Sequence, residues 1–559
     1  MSDEKAATAE DDKVRITIDG REIEAEKGQM LLQAALDNGV EIPHYCYHPK
    51  LSIDGSCRMC QVKVEGGRKL AISCNEPVRD GMVVDTQCEE VEQARKGVME
   101  LLLVNHPLDC PICDQAGECY LQDYSHGFGR DHARTTAPRR KGLKRHPIGE
   151  HVVFDQERCI LCRRCVRFTN EITKTDELRV FGIGDHSHIG TMPDAPLDND
   201  YSVNVADVCP VGALLSTDFH HKRRVWFLEE TESVCSSCSN GCNVKLGVFR
   251  NEIQRLVPRR NDDVNDTWMC DHGRLRYAFA HDETRLREAR VRGEDGELHA
   301  APLSEALKRA GEALAASSAA PETLAVVASP HLTNEESFVL AGFVNETLQA
   351  GHVLLPVRVG DDDGFLVRAE KAANARGARE VGIEERGHEL DALLTAVEAG
   401  DVKTVWVLGA DLLSLADSAR VVEALGKAET LIVQDSNASE LSEIATIVLP
   451  GLTFAEKDGS FTNHAGRVQR IRRALNAPES LVCDGELVRA LQAEVAGSAK
   501  ETFEAAAVLE AIGAVRAQFD GMSFARIGSG GVLLGEGRPA PEPDPADPAD
   551  AAEQPAEGA

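Results

Sequence analysis

The spacing of the cysteines constrains this chain more than any other feature. Fifteen of its seventeen cysteines fall in four tight groups containing two-residue gaps, and only Cys88 and Cys483 stand apart. At that gap both thiolates of one turn can reach a single metal centre. Seventeen cysteines in 559 residues is also far below the ~8–10% that marks a disulfide scaffold. The chain reads as a carrier of metal centres.

The first group, Cys46, Cys57, Cys60 and Cys74, has the spacing C-x10-C-x2-C-x13-C. Gly55, Ser56 and the short residues around them let backbone amides turn toward inorganic sulfide, as a 2Fe-2S cluster requires. A zinc knob is the competing reading of such pairs. The second group is His106, Cys110, Cys113 and Cys119, spaced H-x3-C-x2-C-x5-C. Three cysteines need a fourth ligand, and His106 lies one helical turn before Cys110; Cys88 is the rival. Histidine in place of thiolate makes a cluster less negative and raises its potential.

The third group is Cys159, Cys162 and Cys165 with the distant Cys209-Pro210. A C-x2-C-x2-C run wraps one corner of a 4Fe-4S cubane, and a proline-flanked cysteine closes it. The fourth group is Cys235, Cys238, Cys242 and Cys270, spaced C-x2-C-x3-C-x27-C. It fits another 4Fe-4S cluster, with a zinc ribbon as the alternative. One 2Fe-2S and three 4Fe-4S clusters in one region describe an electron wire, with differing ligation and burial grading the potentials.

Around these groups the pattern predicts the fold. Residues 14–25 read as a β-hairpin turning at Asp19-Gly20, and a helix over about 30–36 stops at Asn38-Gly39. This is the start of a small β-grasp module. A helix over about 91–104 delivers His106 beside its cysteines. From about residue 320, the apolar runs 322–329, 403–410 and 429–436 alternate with helix-like stretches such as 416–425, which implies a parallel α/β sheet. The expected class is therefore α+β followed by α/β.

The domain reading is an unstructured acidic arm (1–13), a 2Fe-2S ferredoxin-type domain (14–90), a 4Fe-4S domain with one histidine and three cysteine ligands (91–130) and a ferredoxin-like 4Fe-4S domain (131–227). A further 4Fe-4S domain (228–285), an α/β domain (286–537) and an unstructured Pro, Ala and acidic tail (538–559) follow.

A net charge of -31 repels phosphate backbones, so nucleic acid is not an expected partner. The basic island 138–146, PRRKGLKRH, reads as an exposed loop, either docking an acidic partner or simply solvated. No run approaches the ~20 apolar residues of a membrane helix, and the acidic N-terminus carries no secretory or transit signal. A cytoplasmic chain without direct membrane insertion is expected. No glycine-rich nucleotide loop opens a helix after a strand in the first half.

With the four spacings in order, residues 14–275 resemble the large iron–sulfur subunit (the G type, or 75 kDa type) of respiratory NADH:quinone oxidoreductase, complex I. The likeness rests on YCYHPKLSIDGSCRMC, NHPLDCPICDQAGEC, CILCRRC with CPVGAL, and CSSCSNGC with CDHGR. From Cys235 to about residue 475 the chain also resembles molybdopterin oxidoreductases, through CDHGR, VWVLGAD and EKDGSFTNHAGRVQR. The resemblance implies electron transfer from the flavin of an NADH-oxidising subunit toward a quinone-reducing module, with no NADH or quinone site on this chain. It implies complex I partners, including the flavin subunit, the small 2Fe-2S subunit and the iron–sulfur subunits of the quinone module, at the cytoplasmic face of the bacterial inner membrane. The fourth cluster is expected off the main path.

Only 289 residues follow Cys270, too few for a catalytic relative's two pterins, so no molybdopterin and no flavin are expected. Gly409 and Asp411 read as a strand terminus, and Arg467, Arg470, Arg472 and Arg473 as a solvated or docking face. The rival reading is the electron-transfer part of an NAD-linked formate dehydrogenase or hydrogenase. A zinc-stapled scaffold is the alternative of another class.

Overall fold

The structure is a computed structural model and describes residues 13–136 and 138–536. Apart from Lys13, the two terminal segments expected to be unstructured lie outside these residues. Lys13 itself opens the first strand opposite Glu26, because the hairpin register extends one residue further than the sequence pattern suggests. The chain divides into two units between Leu228 and Glu229.

The first unit begins with β1 (Lys13–Ile18) and β2 (Arg21–Glu26). Asp19 and Gly20 take φ of 48° and 80°, the left-handed pair that a tight two-residue hairpin needs. Alternation buries Val14, Ile16 and Ile18 on one face. Helix α1 (Leu31–Asp37) lays Leu31, Leu32, Ala34 and Ala35 into the same core. The strands β3 (Gln61–Val64), β4 (Ala71–Ile72) and β5 (Val83–Asp85) complete a mixed sheet of order β2-β1-β5-β3-β4, a β-grasp arrangement in which β5 runs parallel to β1.

Helix α2 (Glu89–Leu103) starts with three glutamates in its first turn, where the helix dipole favours negative charge. Val91, Arg95 and Met99, four residues apart, form its buried stripe. Helix α3 (Tyr120–Phe128) packs beside it. Then come β6 (His146–Pro147), β7 (Val152–Phe154), α4 (Arg164–Arg167), the hairpin β8 (Leu178–Phe181) and β9 (His188–Thr191), α5 (Asn204–Val208) and β10 (Leu214–Ser216). The sheet β10-β7-β6 and helices α4 and α5 form the ferredoxin-like part.

The second unit opens with an antiparallel sheet of β11 (Glu229–Val234), β12 (Asn243–Phe249) and β13 (Glu252–Pro258), followed by α6 (Asp271–Leu275). A seven-stranded sheet is built from β14 (Ala289–Arg292), β15 (Leu298–Ala301), β16 (Leu324–Val327), β17 (His352–Leu354), β18 (Thr404–Leu408), β19 (Thr430–Asp435) and β20 (Ile447–Pro450). Its order is β15-β14-β20-β19-β18-β16-β17, parallel from β20 to β17. All residues of β16 and β18 are buried, as strands covered on both faces must be. Leu324, Val326 and Trp406 enter the core on one face; Ala325, Val327 and Val405 enter the core on the other. The hairpin β21 (Gly459–Thr462) and β22 (Arg467–Ile471) follows.

Candidate metal centres

Cys46 and Cys57 lie in the loop between α1 and β3, Cys60 at the edge of β3, and Cys74 in the turn after β4. The four thiols fall into two interacting pairs, Cys46 with Cys57 and Cys60 with Cys74. The neighbouring thiol holds the pKa of Cys46 and Cys60 below the usual thiol range, and it raises Cys57 and Cys74 with burial adding to the effect. Gly55 (φ 64°) and Arg58 (φ 58°) turn the loop so that the amides of Ser56 and Cys57 face Cys46 and that of Met59 faces Cys57. Inward amides at Cys46 and Cys57 suit a cluster with acid-labile sulfide.

In the second group a short turn, Cys110–Ile112, carries Cys110 at the surface, while Cys113 and Cys119 are buried. Burial pushes the Cys119 thiol up to about 11. His106 is held neutral, its pKa lowered to about 4 by burial and then by Arg158, and its buried Nδ1 has no hydrogen-bond partner. A neutral imidazole with an unsatisfied nitrogen is what a metal ligand requires. Arg158 also acts on Cys113, so His106 and Cys113 share one charged neighbour. Cys88 caps the opposite end of α2, its N–H held 2.8 Å from Asp85 Oδ1. The fifteen-residue helix between Cys88 and the His106 end rises about 22 Å.

Cys159, Cys162, Cys165 and Cys209 line one small cavity with Phe154, Ile160 and Ile189. Leu161 (φ 55°) and Arg163 (φ 58°) adopt left-handed backbone inside the C-x2-C-x2-C run, which lets Leu161 N–H point at Cys159 Sγ at 3.4 Å. Burial raises all four thiols, Cys162 to about 11. In the second unit Cys235, Cys238, Cys242 and Cys270 are all buried. Asn240 Nδ2 donates to Cys242 Sγ at 3.1 Å and Gly273 N–H to Cys270 Sγ at 3.4 Å. A Cβ on Gly273 would stand 2.9 Å from Cys235 Sγ, so this cradle needs bare backbone.

Two arginines in CILCRRCVR, Arg164 and Arg167, are buried. Arg167 donates from Nη2 to Cys46 O and to Cys162 O, tying the first loop to the third. Arg164 donates to Tyr47 O and to Val208 O. Cys119 Sγ lies 4.0 Å from Pro210 O, and a Cβ on Gly212 would lie 2.1 Å from Cys113 Sγ, so the second and third groups are also in contact. The sequence signal for the arginines is only their place inside the cysteine run.

The second unit holds a cavity of about 450 Å³ at the C-terminal ends of β16, β18 and β19. The strand order reverses at β16, and ligand crevices of open α/β sheets form at such a switch point. Gly409 (φ 49°) ends β18 and, with Asp411, lines this cavity. Cys483 caps a later helix, Asp484–Ala496, and burial pushes its thiol up to about 12. The arginines in and just after β22 differ from expectation. Arg467 is buried against Asp263 and the Gly531 carbonyl, Arg470 lies over Phe524, and Arg472 pairs with Glu232. Each of these three finds a partner within the second unit, while Arg473 is exposed. In the basic island, Lys144 folds back onto Asp109, Asp155 and Glu157.

Family models match the chain in order: a 2Fe-2S iron–sulfur cluster binding domain over residues 11–89 and the NADH-ubiquinone oxidoreductase-G iron–sulfur binding region over 95–134. The NADH-quinone oxidoreductase subunit 3 ferredoxin-like domain follows over 149–215, an NDSU1/NuoG-like 4Fe-4S domain over 228–278, and molybdopterin oxidoreductase over 358–493. The G-type subunit of the NADH-quinone oxidoreductase of Streptomyces coelicolor is 38% identical over 63% of this chain and 42% of its own length. The mitochondrial NADH dehydrogenase iron–sulfur protein 1 of Solanum tuberosum is 40% identical over 60% of this chain and 45% of its own. The chain thus spans less than half the length of these curated relatives. A solved NAD+-reducing [NiFe]-hydrogenase chain is 31% identical over 38% of this chain and 91% of its own, with a TM-score of 0.33.

Fold and domains define an iron–sulfur protein with 2Fe-2S and 4Fe-4S binding domains ahead of a molybdopterin-oxidoreductase-like domain. Within that class, the chain is a homologue of the G-type subunit of NADH-quinone oxidoreductase, the mitochondrial 75 kDa type.

Proposed function

We propose that the chain carries electrons within an NADH:quinone oxidoreductase, from a flavin-bearing subunit toward quinone, in respiration coupled to ion translocation. The ligands are Cys46, Cys57, Cys60 and Cys74 for a 2Fe-2S cluster. Those for three 4Fe-4S clusters are His106, Cys110, Cys113 and Cys119; Cys159, Cys162, Cys165 and Cys209; and Cys235, Cys238, Cys242 and Cys270. No molybdopterin or flavin is assigned to this chain. Its partners are the other subunits of that complex, and it sits peripherally at the cytoplasmic face of the membrane. Among the described residues no helix is long and apolar enough to cross a membrane.

The observation that carries this reading is the joining of three ligand sets in one unit through Arg167 and through the Gly212 contact with Cys113. Bound clusters supply reversible one-electron chemistry. The chain's own residues fix the ligands, exclude water and set charge. Arg164 and Arg167 favour the thiolate of Cys162, which lowers the cost of holding negative charge at a buried sulfur. Neutral His106 removes one negative charge from the second set.

The test uses the assembled complex with Cys209→Ala. Quinone reduction by NADH should fall at least about tenfold, as for a disrupted metal site, while NADH still reduces the flavin. Undiminished quinone reduction would refute the path.

A further inference from the structure

The first unit contains a second kind of donor set, built from nitrogen and oxygen. Asp114 follows Cys113 and is 5% exposed. Beyond β10 the chain turns at His221, whose φ of 59° is rare for a residue with a Cβ. This turn stacks the consecutive rings of His220 and His221, with centroids 3.9 Å apart. Asp114 Oδ2 accepts the His221 backbone N–H at 2.8 Å, which leaves Oδ1 facing His221 Nδ1 at 3.4 Å. His220 Nε2 stands 3.9 Å from Oδ2.

One donor atom from each of the three residues lies within 4.8 Å of the others. A tetrahedral ion with ligands at ~2.0–2.1 Å holds them roughly 3.3 Å apart, so side-chain adjustment of an ångström or so closes the set. Among the described residues, the ion-pair partners of Asp114 are these two histidines. A buried carboxylate that lacks a permanent cation is costly. Arg145 and Arg158 repel a proton from His220, which favours the neutral imidazole that a metal ligand must be. Two imidazoles and one carboxylate select a borderline transition ion over calcium or magnesium.

The same segment straps the loop that carries the second cysteine group. Arg224 Nη1 donates to Cys113 O at 2.6 Å, Nη2 donates to Pro111 O, and Val225 and Trp226 lie against Gly117. An ion at the strap's start would fasten both ends of it.

We propose that Asp114, His220 and His221 bind one divalent zinc-type ion that staples the segment 217–227 to the loop 110–119, distinct from the four cysteine-based sets. Solvent completes the coordination.

The test incubates the anaerobically purified holoprotein with Zn2+, removes loose metal, and measures zinc and iron together. Zinc K-edge absorption then reports the donor atoms. About one zinc per chain should be retained in a shell of nitrogen and oxygen near 2.0–2.1 Å, without sulfur at about 2.3 Å, and with iron unchanged. His220→Gln with His221→Gln should lose that zinc and keep the iron; Asp114→Asn is the second variant. No retained zinc, zinc retained equally by both variants, or a sulfur shell with iron lost would overturn the proposal. Iron content reports separately on the cluster assignment, so the two readings fail independently.

Discussion

Gly212→Ala tests whether the second ligand set is built to the tolerance a cluster demands. The added Cβ would stand 2.1 Å from Cys113 Sγ and 3.0 Å from Gln115 Cβ. Non-bonded heavy atoms need about 3.5 Å, so sulfur and backbone must part by about 1.4 Å. Metal–ligand distances tolerate only about ±0.2 Å. The displacement is therefore several times what a coordinated Cys113 can absorb, and it falls on a buried sulfur whose neighbours are close-packed. Iron should drop by about four of fourteen atoms, with loss of one 4Fe-4S signal in low-temperature EPR. The matched control is Gly97→Ala in α2, where a Cβ meets nothing within 4 Å. It should retain all iron and gain about 0.4–1 kcal/mol of stability. Full iron and an unaltered spectrum in Gly212→Ala would refute the reasoning.

Lys457 is 5% exposed and lies 2.7 Å from Glu336 Oε2 and 2.9 Å from Asp484 Oδ2. Lys457→Met leaves two buried carboxylates without their cation and should cost about 3–5 kcal/mol; an unshifted denaturant midpoint, followed by the fluorescence of buried Trp406, would contradict this. Glu335 is fully buried, and burial pushes its pKa from 4.5 up to about 7. The folded chain thus keeps a proton that the unfolded chain releases, so stability contributed by this group falls as pH rises from about 4.5 to about 7. Glu335→Gln should flatten that fall, gaining on the parent between about pH 5 and pH 8 in urea unfolding; parallel curves would reject it. His106→Cys should keep its cluster and shift its potential downward, whereas Cys88→Ala should change neither; redox titration with EPR separates the two, and cluster loss in Cys88→Ala would reassign the ligand.

The cysteine groups are legible in the sequence because ligands of one cluster recur at short, local spacings, and the Asp19-Gly20 hairpin because one turn type needs that pair. Three of the five parallel strands are legible as apolar runs, the expected 322–329, 403–410 and 429–436 corresponding to Leu324–Val327, Thr404–Leu408 and Thr430–Asp435, whereas the short β17 and β20 are not. What escapes a sequence reading depends on partners far away along the chain. Arg167 meets Cys46 across 121 residues and Lys457 meets Glu336 across 121 residues, and nothing local distinguishes either from a solvated charge. Arg467 reads as solvated for the same reason, since Asp263 lies in another element. Weighing His106 against Cys88 needs the fifteen-residue helix α2, which separates them and forms only in the folded chain. Asp114 and the His220-His221 pair stay hidden because a lone aspartate and two adjacent histidines carry no ligand spacing until the left-handed turn at His221 brings them together.

Metal and sulfide analysis of the anaerobically prepared chain, with low-temperature EPR after reduction, tests the central claim most directly. The account predicts about fourteen irons, from one 2Fe-2S and three 4Fe-4S clusters, with a 2Fe signal and no molybdenum. Stoichiometric zinc in the cysteine sites with little iron would contradict electron transfer, and molybdenum would contradict the assignment of the second unit.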